Sequence, residues 1–89
     1  MVQIIVDPDK MRQFERALRE LRGEMALRRN VLNHQMQEVR NFWDDEKYRR
    51  FQRQHEQLAL ELQAFEKIAD RYCDFLRRKA TAADAYLGR

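Results

Sequence analysis

Apolar residues recur along this chain at alternating spacings of three and four residues, in two long runs. The first run is Met11, Phe14, Leu18, Leu21, Met25, Arg28, Leu32, Gln35, Val39 and Phe42, and eight of its ten members are apolar. The second is Tyr48, Phe51, His55, Leu58, Leu62, Phe65, Ala69, Tyr72, Leu76, Lys79, Ala83 and Tyr86, and ten of its twelve are apolar or aromatic. This spacing is typical of helices that pack along one seam. It predicts an all-α fold.

Capping residues set the limits of the two predicted helices. Asp7 can cap free backbone N–H groups, and Pro8 suits the first helical position, so the first helix is predicted over about residues 8–41. Asp44 and Asp45 offer a cap for a second helix over about residues 45–84. Residues 42–44 then form a bend, and the 89 residues form a single domain.

So short a bend allows only antiparallel neighbours, which makes the predicted fold an antiparallel two-helix hairpin. Residues whose numbers sum to about 87 should face each other, which places Leu18 near Ala69 and Met25 near Leu62. Gln35 and His55 interrupt the apolar run. We interpret them as a polar stretch of the seam that fixes the register of the two helices.

The predicted hairpin has more apolar surface than one seam can cover. Ile68 and Phe75 form a second row beside the seam of the second helix, next to Phe65 and Tyr72. A small domain also has an unfavourable ratio of surface to volume. We therefore predict dimerisation into a four-helix bundle, with Phe65, Ile68, Tyr72 and Phe75 at the subunit interface. A monomer, or association with a different chain, is the alternative.

The sequence contains no recognisable catalytic constellation. His34 and His55 lack the further ligands that a zinc site needs, and Cys73 lies within a helical pattern. We predict no catalytic residue, no metal and no cofactor, and therefore no enzyme activity.

Charge and hydropathy restrict the partners. The net charge is only +3, and acidic residues lie within helical reach of basic rows such as Arg12, Arg16 and Arg19. Local ion pairs explain these rows better than phosphate binding does, so nucleic acid is not the expected partner. No apolar stretch is long enough to span a membrane. Residues 1–6 lack the basic region and apolar core of a signal peptide.

The bend carries the sharpest family likeness. Trp43-Asp44-Asp45 stands where the WXG-motif helical-hairpin proteins, the early secreted antigen class of type VII secretion, have Trp-x-Gly between two helices. The chain resembles that family from its Asp7-Pro8 start to Leu76. It departs from the pattern where Asp45 replaces the glycine. The family's export signal, a Tyr followed four residues later by an acidic residue, is missing, since Leu76 follows Tyr72 at that spacing.

This resemblance implies a secretion substrate or secretion-associated partner that acts through dimerisation and helix-surface protein binding. The partner would be a second copy or a related hairpin, with a secretion ATPase as a further partner. Trp43 and Phe42 are expected to pack the bend, which Asp44 and Asp45 complete. The expected location is cytoplasmic, or outside the cell by export without a cleavable signal peptide. An intracellular adaptor or chaperone is the alternative, followed by a basic nucleic-acid-binding dimer.

Overall fold

Two antiparallel helices make up the computed structural model, which describes residues 5–88. Helix α1 is Pro8–Val39 and helix α2 is Glu46–Tyr86. They lie side by side along their length, in a hairpin that measures 64 × 24 × 13 Å. The predicted all-α hairpin is confirmed.

Aspartates begin both helices. The Asp7 side chain accepts a hydrogen bond from the backbone N–H of Lys10 at 3.2 Å, and the Asp45 side chain accepts one from that of Tyr48 at 2.8 Å. Each carboxylate thus satisfies a backbone donor that has no partner within its helix. The predicted helix starts are right to within one residue, whereas α1 ends two residues earlier and α2 two residues later than predicted. The composition of residues 3–6 predicts an extended segment before Asp7, and residues 3 and 4 of it lie outside the described range.

Contacts across the hairpin give its register. The Cys73 thiol lies 3.8 Å from the backbone carbonyl oxygen of Glu15, and His55 Nε2 lies 2.8 Å from Asn33 Oδ1. The residue numbers of both pairs sum to 88, one more than predicted. The residue that faces His55 is therefore Asn33, and the prediction that Gln35 joins His55 in a polar stretch of the seam was wrong, because the Gln35 side chain is exposed.

The seam between the helices is rotated from the predicted one. Leu18, Met25 and Leu62 border the seam, and Tyr48, Ala69 and Ala83 of the predicted second run are buried, but further buried positions hold residues outside the predicted runs. These residues are Glu15, Met36, Glu66, Cys73 and Ala80, all of which are buried. The alternate members of the predicted runs point away from the seam and are exposed, namely Phe14, Leu21, Phe51, Leu58, Phe65 and Tyr72.

Side-chain size accounts for this rotation. Ala69, Cys73, Ala80 and Ala83 are buried in the α2 side of the seam, and small residues allow two helices to approach closely. Phe65 and Tyr72 in those places would force the helices apart beyond the usual 8–10 Å between packed helix axes. Over most of their length the helices therefore meet through small residues and paired charges, and Phe65 and Tyr72 remain outside.

The resulting hairpin exposes more surface than a compact monomer of its size. Its accessible area is 7388 Å² for a mass of 10.9 kDa. A folded monomeric protein of that mass exposes about 5,600 Å². The excess of about 1,800 Å² follows from the flat, elongated shape.

Candidate protein-binding surface

Both helices of the hairpin carry exposed large apolar side chains, and we call one set of them the apolar face. It consists of Phe14, Leu21, Phe51, Leu58, Phe65, Ile68, Tyr72 and Phe75. On α2 the row at 51, 58, 65 and 72 has the seven-residue repeat of a coiled coil, and Ile68 and Phe75 flank it one turn further on. Both helices contribute, so the face is a surface of the whole hairpin.

Two shallow grooves show that the residues from α1 and α2 lie on the same side. One groove, of about 370 Å³, is bordered by Leu32 and Gln35 from α1 and by Phe51 and Leu58 from α2. The other brings Phe14 of α1 beside Lys79 of α2. At the same seven-residue spacing, Arg28 follows Leu21 on α1 and Lys79 follows Tyr72 on α2. The apolar face therefore has one cation near its middle and another near the end of the hairpin where α1 begins and α2 ends.

The opposite side of the hairpin is polar. A groove of about 400 Å³ is bordered there by Asn33, Gln37, Glu56, Leu60 and Gln63. Met36 and His55 border both this groove and the groove beside Phe51 and Leu58, because these two residues lie in the seam between the two grooves. Leu60, which borders this groove, is a large exposed apolar residue.

Ion pairs cross the hairpin along the seam and its polar side. Arg29 makes two hydrogen bonds to the Glu66 carboxylate, at 2.7 and 3.2 Å, and Arg22 makes two to Asp70, at 2.9 and 3.2 Å. Arg77 donates to Glu15 at 2.7 Å, and Arg12 pairs with Asp84. Paired charges in a seam favour one register, since a shifted register would leave a buried carboxylate without its arginine.

The pKa of Glu66 is lowered, chiefly by the hydrogen bond from Arg29 and against the effect of desolvation. The same contact raises the pKa of Arg29. A carboxyl group with a lowered folded-state pKa stabilises the fold above its unfolded pKa, and this stability is lost as the pH falls through the folded value. Glu66 thus favours the hairpin at neutral pH and progressively less below about pH 4.3.

Replacing Glu66 with glutamine should lower the melting temperature at pH 7 and flatten its dependence on acid. The amide keeps the size of the side chain but removes the charge that Arg29 and Arg22 pair with. Melting curves by circular dichroism between pH 7 and pH 3, at one protein concentration, measure both effects. Glu20→Gln is the matched control, since Glu20 is exposed. An acid dependence in Glu66→Gln equal to that of the wild type would contradict this role.

The bend is organised around Asp45. Its Oδ1 accepts hydrogen bonds from the backbone N–H of Tyr48, at 2.8 Å, and from the indole Nε1 of Trp43, at 2.9 Å. The Trp43 ring packs edge-on against Tyr48, with ring centroids 5.5 Å apart, and lies 5.9 Å from the ring of Phe51. Asp45 therefore caps α2 and orients the Trp43 side chain.

Phe42 does not pack in the bend as expected. Its side chain is 79% exposed and projects at the tip of the hairpin, while Tyr48, which is 2% exposed, fills the place beneath Trp43. Asp44 accepts a hydrogen bond from Arg49 and caps neither helix. Of the four predicted bend residues, Trp43 and Asp45 therefore make the contacts that fix the conformation of the bend.

The candidates for chemistry are dispersed over the described residues. His34 pairs with Glu38 on the outside of α1, and His55 lies in the seam beside Asn33. Burial raises the pKa of the Cys73 thiol, which therefore resists ionisation. Residues 5–88 contain no group of three or more side chains able to hold a metal ion, and no helix among them is long and apolar enough to cross a membrane.

All four predicted interface residues, Phe65, Ile68, Tyr72 and Phe75, belong to the apolar face. The contribution of α1 to the apolar face was not predicted, because the spacing of apolar residues placed Phe14 and Leu21 in the seam. Neighbouring charged residues are the signal that Phe14 and Leu21 face away from the seam. Glu15 and Arg22 directly follow these two residues and have charged partners on α2.

No protein-family model, no curated protein and no solved structure matches this chain.

Proposed function

We propose that this protein is a non-enzymatic hairpin that dimerises through its apolar face and binds other proteins through its helix surfaces. In this proposal it serves as a WXG-like secretion substrate or as the partner of one. The observation that carries the proposal is the apolar face itself, which draws on both helices and extends over most of α2. Scattered apolar residues are ordinary on a protein surface, but a contiguous face of this kind marks an interaction site.

The exposed area of the hairpin is large enough for self-association. A stable protein interface buries about 800 Å² on each partner. The hairpin's excess over a compact monomer, about 1,800 Å², is large enough to supply that area. A second hairpin of the same form would offer a flat apolar face of equal length, and the product would be a four-helix bundle.

The geometry of the bend supports the likeness to the WXG-motif proteins. Trp43 stands between two antiparallel helices, as the motif's tryptophan does, and Asp45 occupies the place of the glycine. Because Leu76 stands where the export signal would have an acidic residue, we propose that a partner chain supplies that signal.

An export assay tests the secretion part of the proposal. A tagged chain would be expressed in a bacterium that has a type VII secretion ATPase, and in the same strain without that ATPase. We expect the chain in the culture supernatant of the first strain only, and only when a related hairpin with the Tyr signal is co-expressed. Equal amounts in both supernatants, or retention in every strain, would contradict export. A cytosolic marker protein controls for lysis.

The arrangement of charges weighs against the nucleic-acid alternative. Arg12, Arg22, Arg29 and Arg77 all pair with carboxylates of the same hairpin. Neutralising phosphates requires cations that can exchange their counterions for the nucleic acid. Binding to other proteins therefore explains the surface of the hairpin better than binding to a nucleic-acid backbone does.

A further inference from the structure

The ion pairs found between α1 and α2 in the described part of the chain lie in one half of the hairpin. We call residues 8–29 and 59–86 the open half, and residues 30–58, which include the bend, the bend half. Salt bridges join the two helices across the open half, namely Arg12–Asp84, Arg77–Glu15, Arg22–Asp70 and Arg29–Glu66. Among the described residues of the bend half, each ion pair joins near neighbours in the chain and none crosses from α1 to α2.

The ion pairs of the open half are linked to one another. Glu66, whose side chain is 4% exposed, accepts hydrogen bonds from Arg29 at 2.7 and 3.2 Å and lies 4.0 Å from Arg22. Arg22 in turn donates two hydrogen bonds to Asp70. The Arg29 side chain is 14% exposed, so without Glu66 it would be a largely buried cation that has lost its partner. Such a charge favours separated helices, where water surrounds it.

Small side chains fill the rest of the open-half seam. Ala69, Cys73, Ala80 and Ala83 are buried there. An alanine or cysteine side chain removes little apolar area from water, and hydrophobic stabilisation is roughly proportional to that area. Larger residues that border this part of the seam, such as Leu18, remain partly exposed. The ion pairs therefore contribute a large share of the interactions that hold the open half together.

The bend half is held together by larger side chains and uncharged contacts. Tyr48 is buried, packs against the ring of Trp43 and donates a hydrogen bond to the backbone carbonyl oxygen of Met36. His55 and Asn33 add a contact of 2.8 Å between the helices. An aromatic side chain buries about 150–250 Å², far more than an alanine does. These contacts do not depend on the ion pairs of the open half.

The order of the contacts along the chain decides which half can separate alone. The pairs Tyr48–Met36 and His55–Asn33 join residues only 12 and 22 positions apart. Arg77–Glu15 joins residues 62 positions apart. If the open half separates first, two free arms remain attached to a closed bend. If the bend half separated first, the open half would have to close a long loop, which costs more chain entropy.

We infer that the hairpin opens from its free ends, with the ion pairs as the latch of the open half and the closed bend half as the hinge. Local opening of this kind, below the free energy of global unfolding, is a general property of folded proteins. The open state exposes Cys73, which is buried in the closed hairpin with its thiol 3.8 Å from the carbonyl oxygen of Glu15. The motion belongs to a single hairpin and does not rest on the proposed self-association.

Two native side chains report the two halves separately. Cys73 is the chain's one cysteine and lies in the open half, and Trp43 is its one tryptophan and lies in the bend half. The rate at which dithiodipyridine modifies Cys73 at pH 7, divided by the rate for the same chain unfolded in urea, measures the open fraction. The emission spectrum of Trp43 in the same sample measures the state of the bend. All chains are compared at a concentration where sedimentation shows each to be a monomer.

Glu66→Gln should raise the relative rate of Cys73 modification about tenfold or more and leave the emission of Trp43 unchanged. The substitution lies away from both reporters, so it acts on them only through the separation of the helices. Asp70→Asn removes the more exposed partner of Arg22 and should produce a smaller rise. Glu20→Gln, at an exposed position, is the control and should change neither signal.

The other results would overturn the inference. An unchanged Cys73 rate in both Glu66→Gln and Asp70→Asn would show that the ion pairs are not a latch. A rise accompanied by an equal loss of the Trp43 signal would show that the two helices separate over their whole length at once. An equal rise in Glu20→Gln would show that the effect is one of net charge. If Glu66→Gln unfolds completely, Asp70→Asn decides by the same two signals.

Discussion

Replacing Phe75 with glutamate is expected to dissociate the proposed dimer into monomers at micromolar concentration. Phe75 belongs to the apolar face and is 57% exposed in the single hairpin, so the change leaves the hairpin's seam untouched. In the dimer the new carboxylate would lie against apolar side chains without a partner. That cost is about 3 kcal/mol or more, which weakens association about a hundredfold or more.

Leu60→Glu is the matched control for this substitution. Leu60 is exposed to nearly the same extent, 60%, but lies on the polar side of the hairpin. Both variants add one negative charge to α2 at an exposed apolar position, and only the location differs. Sedimentation velocity of the two variants and the wild type gives the comparison. If Phe75→Glu remained a dimer, or if Leu60→Glu dissociated equally, the apolar face would not be the interface.

Replacing Tyr48 with alanine should destabilise the fold by about 3 kcal/mol or more. Tyr48 is 2% exposed and packs edge-on against Trp43. Its removal leaves a cavity beneath the bend, where the seam between the helices begins. Urea denaturation followed by circular dichroism at a fixed protein concentration measures the loss. A change of less than about 1 kcal/mol would contradict the assignment of Tyr48 as the core of the bend.

Tyr48→Phe separates the ring from the hydroxyl. The hydroxyl lies 3.4 Å from the backbone carbonyl oxygen of Met36, which is a long hydrogen bond. We therefore expect Tyr48→Phe to cost less than about 1 kcal/mol, well below the cost of the alanine variant. Trp43 fluorescence should change strongly in Tyr48→Ala and little in Tyr48→Phe, because only the first removes the ring that Trp43 contacts.

Local chemistry made the starts of both helices predictable. Asp7-Pro8 and Asp45 act within one helical turn, so their effect can be inferred from neighbouring residues alone. The heptad spacing likewise identified two helices and, through the short bend, their antiparallel arrangement. The exposed position of Phe42 was not predictable in this way, because it depends on which aromatic residue the bend can bury, and Tyr48 takes that place.

The rotation of the seam could not be predicted by counting apolar residues along the chain. Two overlapping patterns share Leu18, Met25, Leu62 and Ala69, and the spacing alone favours the pattern that adds Phe65 and Tyr72. The other pattern is chosen by side-chain size at Cys73 and Ala80 and by ion pairs such as Arg29 with Glu66. Both depend on the facing helix, so they become visible only once the register is known.

The molar mass of the wild-type protein in solution tests the central claim most directly. Sedimentation equilibrium at micromolar concentration should give twice the chain mass of 10.9 kDa, which is the mass of two hairpins joined by their apolar faces. A mass equal to one chain, unchanged up to the highest soluble concentration, would contradict the claim that this face is covered by a second copy.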